Sequence, residues 1–150
     1  MNPLLAKFVL VISIGVSICL TAYRPEWVGD ENSFLKDFIN HEYLNILGVI
    51  LAITLASLSQ LHLAISKLQK QLGSEGLQDI RSEIKSSAAY LIAGFIAGLV
   101  AVILKPLIVF ASAGAAAINC FCLLVLLFYI LILSDITLSV FELDFSQDGP

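Results

Sequence analysis

The chain has 150 residues, of which 59% are hydrophobic and 13% are charged, and its formal net charge is −4. A soluble domain is about 45–50% apolar and about 25% charged, so this chain has too little charge to cover a water-facing surface. The charges are also missing from four long blocks, which indicates a protein that spans a bilayer. The negative net charge argues against direct nucleic acid binding.

Four apolar blocks have the length of a transmembrane helix. They cover residues 4–22, 43–65, 88–104 and 115–134. About 20 residues in an α-helix cross the hydrocarbon core, and a helix satisfies every backbone N–H and C=O without water. The alternating polarity of barrel strands is missing. The sequence therefore predicts an all-α fold, an integral membrane four-helix bundle with short interfacial and cytoplasmic helical extensions, in which residues 1–150 form one domain.

The first block has two further interpretations. Lys7 precedes an apolar stretch as in a signal peptide, but Leu20 stands where a cleavage site needs a small residue. Lipid modification at Cys19 is disfavoured by Ile18 immediately before it. We therefore expect the block to remain as the first span.

The loop between the first two spans carries signals of its own. Tyr23, Trp27 and Tyr43 flank the spans as an aromatic belt does at headgroup level. Asn32 or Ser33 can cap a short helix. Four apolar side chains share a face of that helix: Phe34, Leu35, Phe38 and Ile39. We expect the helix to lie along the membrane surface, with an external receptor site as the alternative.

Small and polar side chains recur at helical spacing on the second and third spans, and the third span contains a G-x-x-x-G step. Helices in lipid associate through close contact over small residues and through interhelical hydrogen bonds, so the pattern predicts homo-oligomerisation. The candidate interface residues are Asn45, Gly48, Ala52, Ser59, Gln60, His62, Gly94 and Gly98.

His62 has a second interpretation, a proton relay with Asp135, because ionisable residues inside a membrane are commonly functional. The interface is favoured, because about 20 residues counted from Tyr43 bring His62 to the headgroups.

The connection between the second and third spans, residues 66–87, predicts a helical hairpin that projects beyond the bilayer. Its charged residues form a candidate docking surface for a cytosolic protein, and the alternative is a solvated hairpin end. The docking candidates are Lys67, Lys70, Glu75, Asp79, Arg81, Glu83 and Lys85. With Lys7, this side holds five of the eight basic residues, which favours cytoplasmic termini by the positive-inside rule.

The third span is expected to end at Lys105-Pro106, because proline removes a helical N–H donor and lysine reaches outward to the headgroups. The small-residue run ASAGAAA at 111–117 then predicts a tight turn into the fourth span. The fourth span would leave the membrane at Ser134-Asp135, and residues 135–150 would form a cytoplasmic tail. The helical spacing of Ile136, Val140 and Leu143 predicts an interfacial or partner-bound helix at the start of this tail.

Recognisable chemistry is sparse. Cys120 and Cys122 could bind a soft metal, but no third ligand lies near them in the sequence, and we interpret both as small packing residues. Phosphate-binding loops, metalloprotease motifs and paired catalytic carboxylates are absent. The sequence therefore predicts no enzymatic activity, no cofactor and no metal.

Three features together resemble a known family: the stretch NILGVILAITLASLSQLHLAI, the basic hairpin after it and the AGFIAG of the third span. They are similar to the small four-helix membrane proteins of bacterial defence operons, in particular the membrane subunits of Kiwa anti-phage systems. The similarity covers chiefly residues 41–104. It implies an inner-membrane homo-oligomer that works with a cytosolic DNA-binding protein docked on the hairpin between Lys67 and Lys85.

Two functions remain open from the sequence. The first is a membrane protein that self-associates and anchors or signals to a cytosolic partner. The second is a small pore, holin-like protein or transporter subunit, in which Asn45, Ser59, Gln60 and Asn119 of an oligomer would line a narrow water path.

Overall fold

The computed structural model describes the backbone of residues 3–72, 77–108 and 112–145, and the side chains of residues 4–67, 82, 84–108 and 113–138. Six helices account for most of these residues: α1 (Pro3–Tyr23), α2 (Pro25–Val28), α3 (Ser33–Phe38), α4 (His41–Leu72), α5 (Leu77–Ile108) and α6 (Ser112–Phe145). The four long helices are each long and apolar enough to cross a membrane. The predicted all-α four-helix membrane fold is confirmed.

The long helices are not equivalent in the bundle. α4, α5 and α6 pack against one another, whereas α1 lies against α6 and the short α2. The centre of the three-helix core contains fully buried side chains from all three helices: Tyr43, Leu47, Leu91, Cys122 and Tyr129. Over its most apolar 18 residues, α1 has no buried side chain. α1 is therefore a peripheral helix, and most of its apolar side chains are available to lipid.

The loop between α1 and α4 folds as two short helices. Asn32 caps α3: its Oδ1 accepts a hydrogen bond from the Leu35 backbone N–H at 3.3 Å, and its Nδ2 donates to the Trp27 carbonyl at 2.9 Å. Leu35 and Ile39 are buried. The predicted short helix and its cap are confirmed, and the apolar residues at its end join it to the start of α4.

The helix continues past the predicted end of the third span at Lys105-Pro106, and the expected outward direction of Lys105 is wrong. α5 continues through Pro106 to Ile108, and Lys105 is buried instead of reaching outward. Pro106 lacks the N–H that would bond to the Val102 carbonyl, but only two residues of the helix follow it, so little helical structure depends on that bond. The ammonium of Lys105 points inward because it pairs with the Asp30 carboxylate, with 2.8 Å between Lys105 Nζ and Asp30 Oδ1.

The expected small-residue turn before the fourth span is also wrong over its described part. α6 begins at Ser112, so residues 112–117 are helical. Beyond the fourth span, the predicted helical start of the tail is confirmed, because α6 passes through Ser134-Asp135 and continues to Phe145. Hydroxyl groups do not interrupt it, because Ser134 Oγ donates to the Ile130 carbonyl and Thr137 Oγ1 to the Leu133 carbonyl.

Two lysines on α5 bracket the thickness of a bilayer. Lys85 and Lys105 are separated by 105 − 85 = 20 residues, which at about 1.5 Å per residue is about 30 Å. We call the end of the bundle near Lys105, α2 and α3 the loop end, and the end near Lys7 and Lys85 the N-terminal end.

Candidate functional site

The loop end contains a buried ion pair that belongs to three separate parts of the chain. Asp30 follows α2, Lys105 lies in the last turns of α5, and Asn119 lies in the second turn of α6. Lys105 Nζ is 2.8 Å from Asp30 Oδ1, and the exposed fractions of the two side chains are 9% and 24%. Asn119 Nδ2 donates to the same Oδ1 at 3.3 Å and to the Val28 carbonyl at 2.9 Å. The Asp30 carboxylate therefore joins the loop to two membrane helices.

Two polar atoms beside this ion pair are buried and have no hydrogen-bond partner in the described part of the chain. They are the Tyr43 hydroxyl and Asn119 Oδ1. Cys122 lies one helical turn after Asn119 and is fully buried. Tyr43 also approaches α5 closely, since a Cβ placed on Gly98 would lie 3.0 Å from its hydroxyl oxygen.

Asp30, Lys105 and Asn119, which we call the loop-end cluster, are suited to a structural role. The Lys105 ammonium is paired with Asp30, and the Asn119 amide holds the loop through the Val28 carbonyl. Across the described residues, no group of three or more His, Cys, Asp and Glu side chains could hold a metal ion. We therefore interpret the cluster as the closure of this end of the bundle.

The surface of the loop next to the membrane carries one exposed charged pair. Arg24 Nη1 is 3.2 Å from Glu26 Oε1, and the guanidinium lies 5.8 Å from the centre of the Trp27 ring. The pKa of the Glu26 carboxyl lies below its ordinary value because its own backbone N–H donates to it and because Arg24 is its neighbour. This grouping is suited to the headgroup level, where Trp27 was expected.

The predicted interface residues divide into three groups: exposed residues of α4, half-buried residues of α4, and two glycines of α5. The first group is exposed on α4 and consists of Asn45, Ala52, Ser59 and Gln60. Ser59 Oγ donates to the Leu55 carbonyl within its own helix at 2.8 Å. Gly48 and His62 are half-buried, and a Cβ on Gly48 would lie 3.9 Å from the Phe95 ring. The α4 part of the prediction thus lies mostly on the outside of a single chain.

The two glycines of the G-x-x-x-G step lie inside the chain. Gly98 packs against Tyr43 and Leu47 of α4. Gly94 packs against the ring of Tyr129, and a Cβ placed on Gly94 would lie 2.9 Å from a carbon of that ring. The Tyr129 hydroxyl donates to the carbonyl of Leu91 on α5. The G-x-x-x-G step therefore brings α5 close to α4 and α6 of the same chain.

Of the predicted docking residues, Lys67 and Lys85 have described side chains, and both are exposed. Four others lie in the helical ends of α4 and α5, but their side chains are outside the described set: Lys70, Asp79, Arg81 and Glu83. Glu75 lies outside the described residues altogether. The proton-relay residues are a half-buried His62 and an exposed Asp135, and the relay stays a hypothesis.

Sequence reasoning missed two contacts. The pairing of Asp30 with Lys105 was not predicted, although the expected topology placed both residues on the same side of the membrane. The contact of α1 with α6 was missed as well: Thr21 Oγ1 lies 3.5 Å from Cys120 Sγ and donates to the Ser17 carbonyl at 2.8 Å. Its signal was the recurrence of hydroxyl residues every four positions at Ser13, Ser17 and Thr21.

In comparisons with protein-family models, with curated proteins and with solved structures, no match to this chain was found.

Proposed function

We propose that the protein is a non-enzymatic membrane anchor that forms homo-oligomers in the bilayer and presents its N-terminal end to a cytosolic protein. The resemblance to Kiwa-type membrane subunits supports bacterial anti-phage defence as the setting and the inner membrane as the location. The observation that carries the proposal is the exposed face of α4.

Among the exposed positions of α4, which also include Ile46, Ile53 and Gln60, six follow a heptad rhythm. They are Asn45, Val49, Ala52, Ala56, Ser59 and Leu63, and we call them the α4 outer face. Their spacing alternates between four and three residues, as the facing positions of a left-handed coiled coil do. The middle of the outer face is occupied by small side chains, which allow two helices in lipid to approach closely.

Two carboxamides lie on or beside the α4 outer face. Asn45 and Gln60 are exposed, and neither side chain makes a hydrogen bond to any described residue. A polar group that faces hydrocarbon without a partner is costly, and interhelical hydrogen bonds in membranes contribute about 0.6–2 kcal/mol each. A second copy of α4 packed on this face would supply the missing partners, which supports self-association.

The test is the double variant Ala52→Leu with Gln60→Leu. Because both side chains are exposed in one chain, we expect the variant to fold and to lose the oligomer, since the added bulk keeps two α4 helices apart. Subunit counting by photobleaching of labelled protein in liposomes measures this. Val11→Leu on the exposed surface of α1 is the matched control. A wild-type protein that is monomeric in liposomes would contradict the proposal.

The pore alternative requires a continuous polar path. Asn119 is buried inside the chain and bonded to the loop, so an oligomeric path would have to be lined by Asn45, Ser59 and Gln60 without it. We expect liposomes that contain the wild-type oligomer to remain impermeable to a small fluorescent dye and to potassium ions. Flux that disappears in the Ala52→Leu/Gln60→Leu variant would instead establish the pore.

Docking is tested at the two exposed lysines of the N-terminal end. The variant Lys67→Glu/Lys85→Glu reverses both charges, and we expect it to recover less of the soluble protein that co-purifies with the wild-type chain. Lys36→Glu, an exposed charge reversal at the loop end, is the control. If the complex mediates defence, the double reversal also raises phage plating efficiency, while Lys36→Glu does not. Equal recovery with all variants would contradict docking at this end.

A further inference from the structure

A cleft opens between three helices at the N-terminal end of the bundle. It has a volume of about 280 Å³ and lies where α1, α5 and α6 meet. Lys7, Ser87 and Asp135 line its polar part, and its apolar wall includes Leu10, Phe128 and Leu131. We call it the N-terminal cleft. Its lining is divided in the way a lipid molecule is divided, into a charged head and an apolar chain.

The polar and apolar parts of the cleft lie at the matching depths of a bilayer. Ser87 lies two residues after Lys85, which is about 30 Å from the ion pair at the loop end by helix length. The polar lining is therefore at headgroup level. Leu10 on α1 and Phe128 on α6 each lie at least three residues closer to the membrane centre than Lys7 and Asp135. An acyl chain that follows them remains in hydrocarbon.

The cleft presents one charge of each sign. Lys7 is exposed, and its ammonium makes no ion pair with any described residue. Asp135 has an interaction within the chain, but a carboxylate offers about four acceptor positions and can receive a further donor. A ligand that carries a phosphate and an ammonium group next to each other complements this pair of charges.

We propose that the N-terminal cleft binds one phospholipid with a zwitterionic, primary-amine headgroup, as in phosphatidylethanolamine. Lys7 contacts the lipid phosphate, the Asp135 carboxylate accepts hydrogen bonds from the lipid ammonium, and the Ser87 hydroxyl donates to a phosphate oxygen. One acyl chain follows the apolar wall beside Leu10 and Phe128.

The two charges also determine which lipid headgroups the cleft should bind less well. A phosphatidylglycerol headgroup retains the attraction to Lys7 but brings a net negative charge beside Asp135. A phosphatidylcholine headgroup retains both charges but has no N–H donor for the carboxylate, and hydrogen bonds to charged groups are the stronger class. We therefore expect the primary-amine lipid to bind better than either.

The experiment uses the purified full-length protein in mixed micelles that contain equal amounts of the three lipids, each with a distinguishable acyl mass. Native mass spectrometry counts the lipid retained per protein chain. We expect one saturable phosphatidylethanolamine, with about tenfold less of the other two lipids. Asp135→Asn should reduce phosphatidylethanolamine to the level of phosphatidylcholine, and Lys7→Gln should reduce both.

Controls separate this cleft from general lipid coating. Lys36→Gln removes an exposed charge at the loop end and should leave retention unchanged. Leu131→Trp keeps the charges but fills the apolar wall, so it should abolish retention, with circular dichroism and thermal unfolding used to check folding. Three results would overturn the proposal: equal wild-type retention of the three lipids, an unchanged preference in Asp135→Asn, or retention that never saturates. Any of them leaves the self-association proposal standing, because the α4 outer face does not include the cleft.

Discussion

Lys105 is near the end of a membrane-spanning helix, where a lysine ordinarily extends its ammonium to the headgroups. Here the side chain is turned inward to Asp30, and Asn119 adds a second hydrogen bond to the same carboxylate oxygen. Burying an ion pair carries a large desolvation cost, and losing one partner leaves the other charge buried and uncompensated. The arrangement therefore makes the position of one loop carboxylate essential to the packing of α5 and α6.

We predict that Asp30→Ala destabilises the protein by roughly 3 kcal/mol, because the Lys105 ammonium then lacks its counter-charge. The double variant Asp30→Ala/Lys105→Met removes both charges and should recover most of the loss. Unfolding in mixed micelles with increasing sodium dodecyl sulfate measures both. Asp37→Ala, at an exposed carboxylate of α3, is the matched control. Equal stability of Asp30→Ala and Asp37→Ala would show that the ion pair contributes little.

At the scale of helices, the glycines of α5 make the closest contacts in the three-helix core. α5 contacts both α4 and α6, and its glycines accept tyrosine side chains from both neighbours. Gly94 receives Tyr129, and Gly98 receives Tyr43. In lipid the hydrophobic effect does not drive helices together. Close packing of a tyrosine ring against the backbone at a glycine stabilises the helix contact instead. α1 lacks such a fit and stays at the periphery of the bundle.

We predict that Gly94→Ala destabilises the bundle by about 1–3 kcal/mol, the usual result of forcing an extra methyl group into a packed core. A Cβ there would lie 2.9 Å from the Tyr129 ring. Gly15→Ala on α1 is the matched control, since a Cβ at Gly15 meets nothing within 4 Å. Alanine favours the helix by about 1 kcal/mol over glycine, so Gly15→Ala should be neutral or stabilising. Thermal unfolding in detergent compares the two variants, and equal losses would contradict the packing argument.

At the scale of the whole molecule, polar groups lie at both ends of the bundle and apolar side chains lie between them. The loop end is closed by the buried ion pair, whereas the N-terminal end opens into a cleft and continues into the long ends of α4 and α5. This difference between the ends is what suits the N-terminal end to contact a partner. By the positive-inside rule, it should face the cytoplasm.

The orientation is testable with two exposed serines at opposite ends, Ser33 on α3 and Ser82 on α5. In a background with the three native cysteines replaced by alanine, we expect Ser33→Cys to react with a membrane-impermeant maleimide in intact bacterial cells. Ser82→Cys should react only after lysis. The reverse pattern would place both termini outside, and the proposed cytosolic partner could then not dock on the hairpin.

The sequence by itself determined that the protein is all-α, that it has four membrane-spanning helices, and that a short helix begins at Asn32 or Ser33 in the first loop. These features are local: the length of an apolar block determines whether it can span lipid, because its backbone must be satisfied within the helix. Only the tertiary structure decided which side of each helix faces inward. The Lys105 side chain is buried, the glycines of α5 pack against tyrosines, and most of the candidate interface residues of α4 are exposed on the outside of the chain.

The physical reason is that lipid and a protein interior are equally apolar, so the periodicity of apolar residues does not mark the buried face of a membrane helix as it does in water. The choice of face depends on steric fit and on hydrogen bonds between residues far apart in the chain, such as Asp30, Lys105 and Asn119. Such contacts leave no pattern in the neighbouring residues of a single sequence. The number of membrane-spanning helices could therefore be read from the sequence, but their mutual arrangement could not.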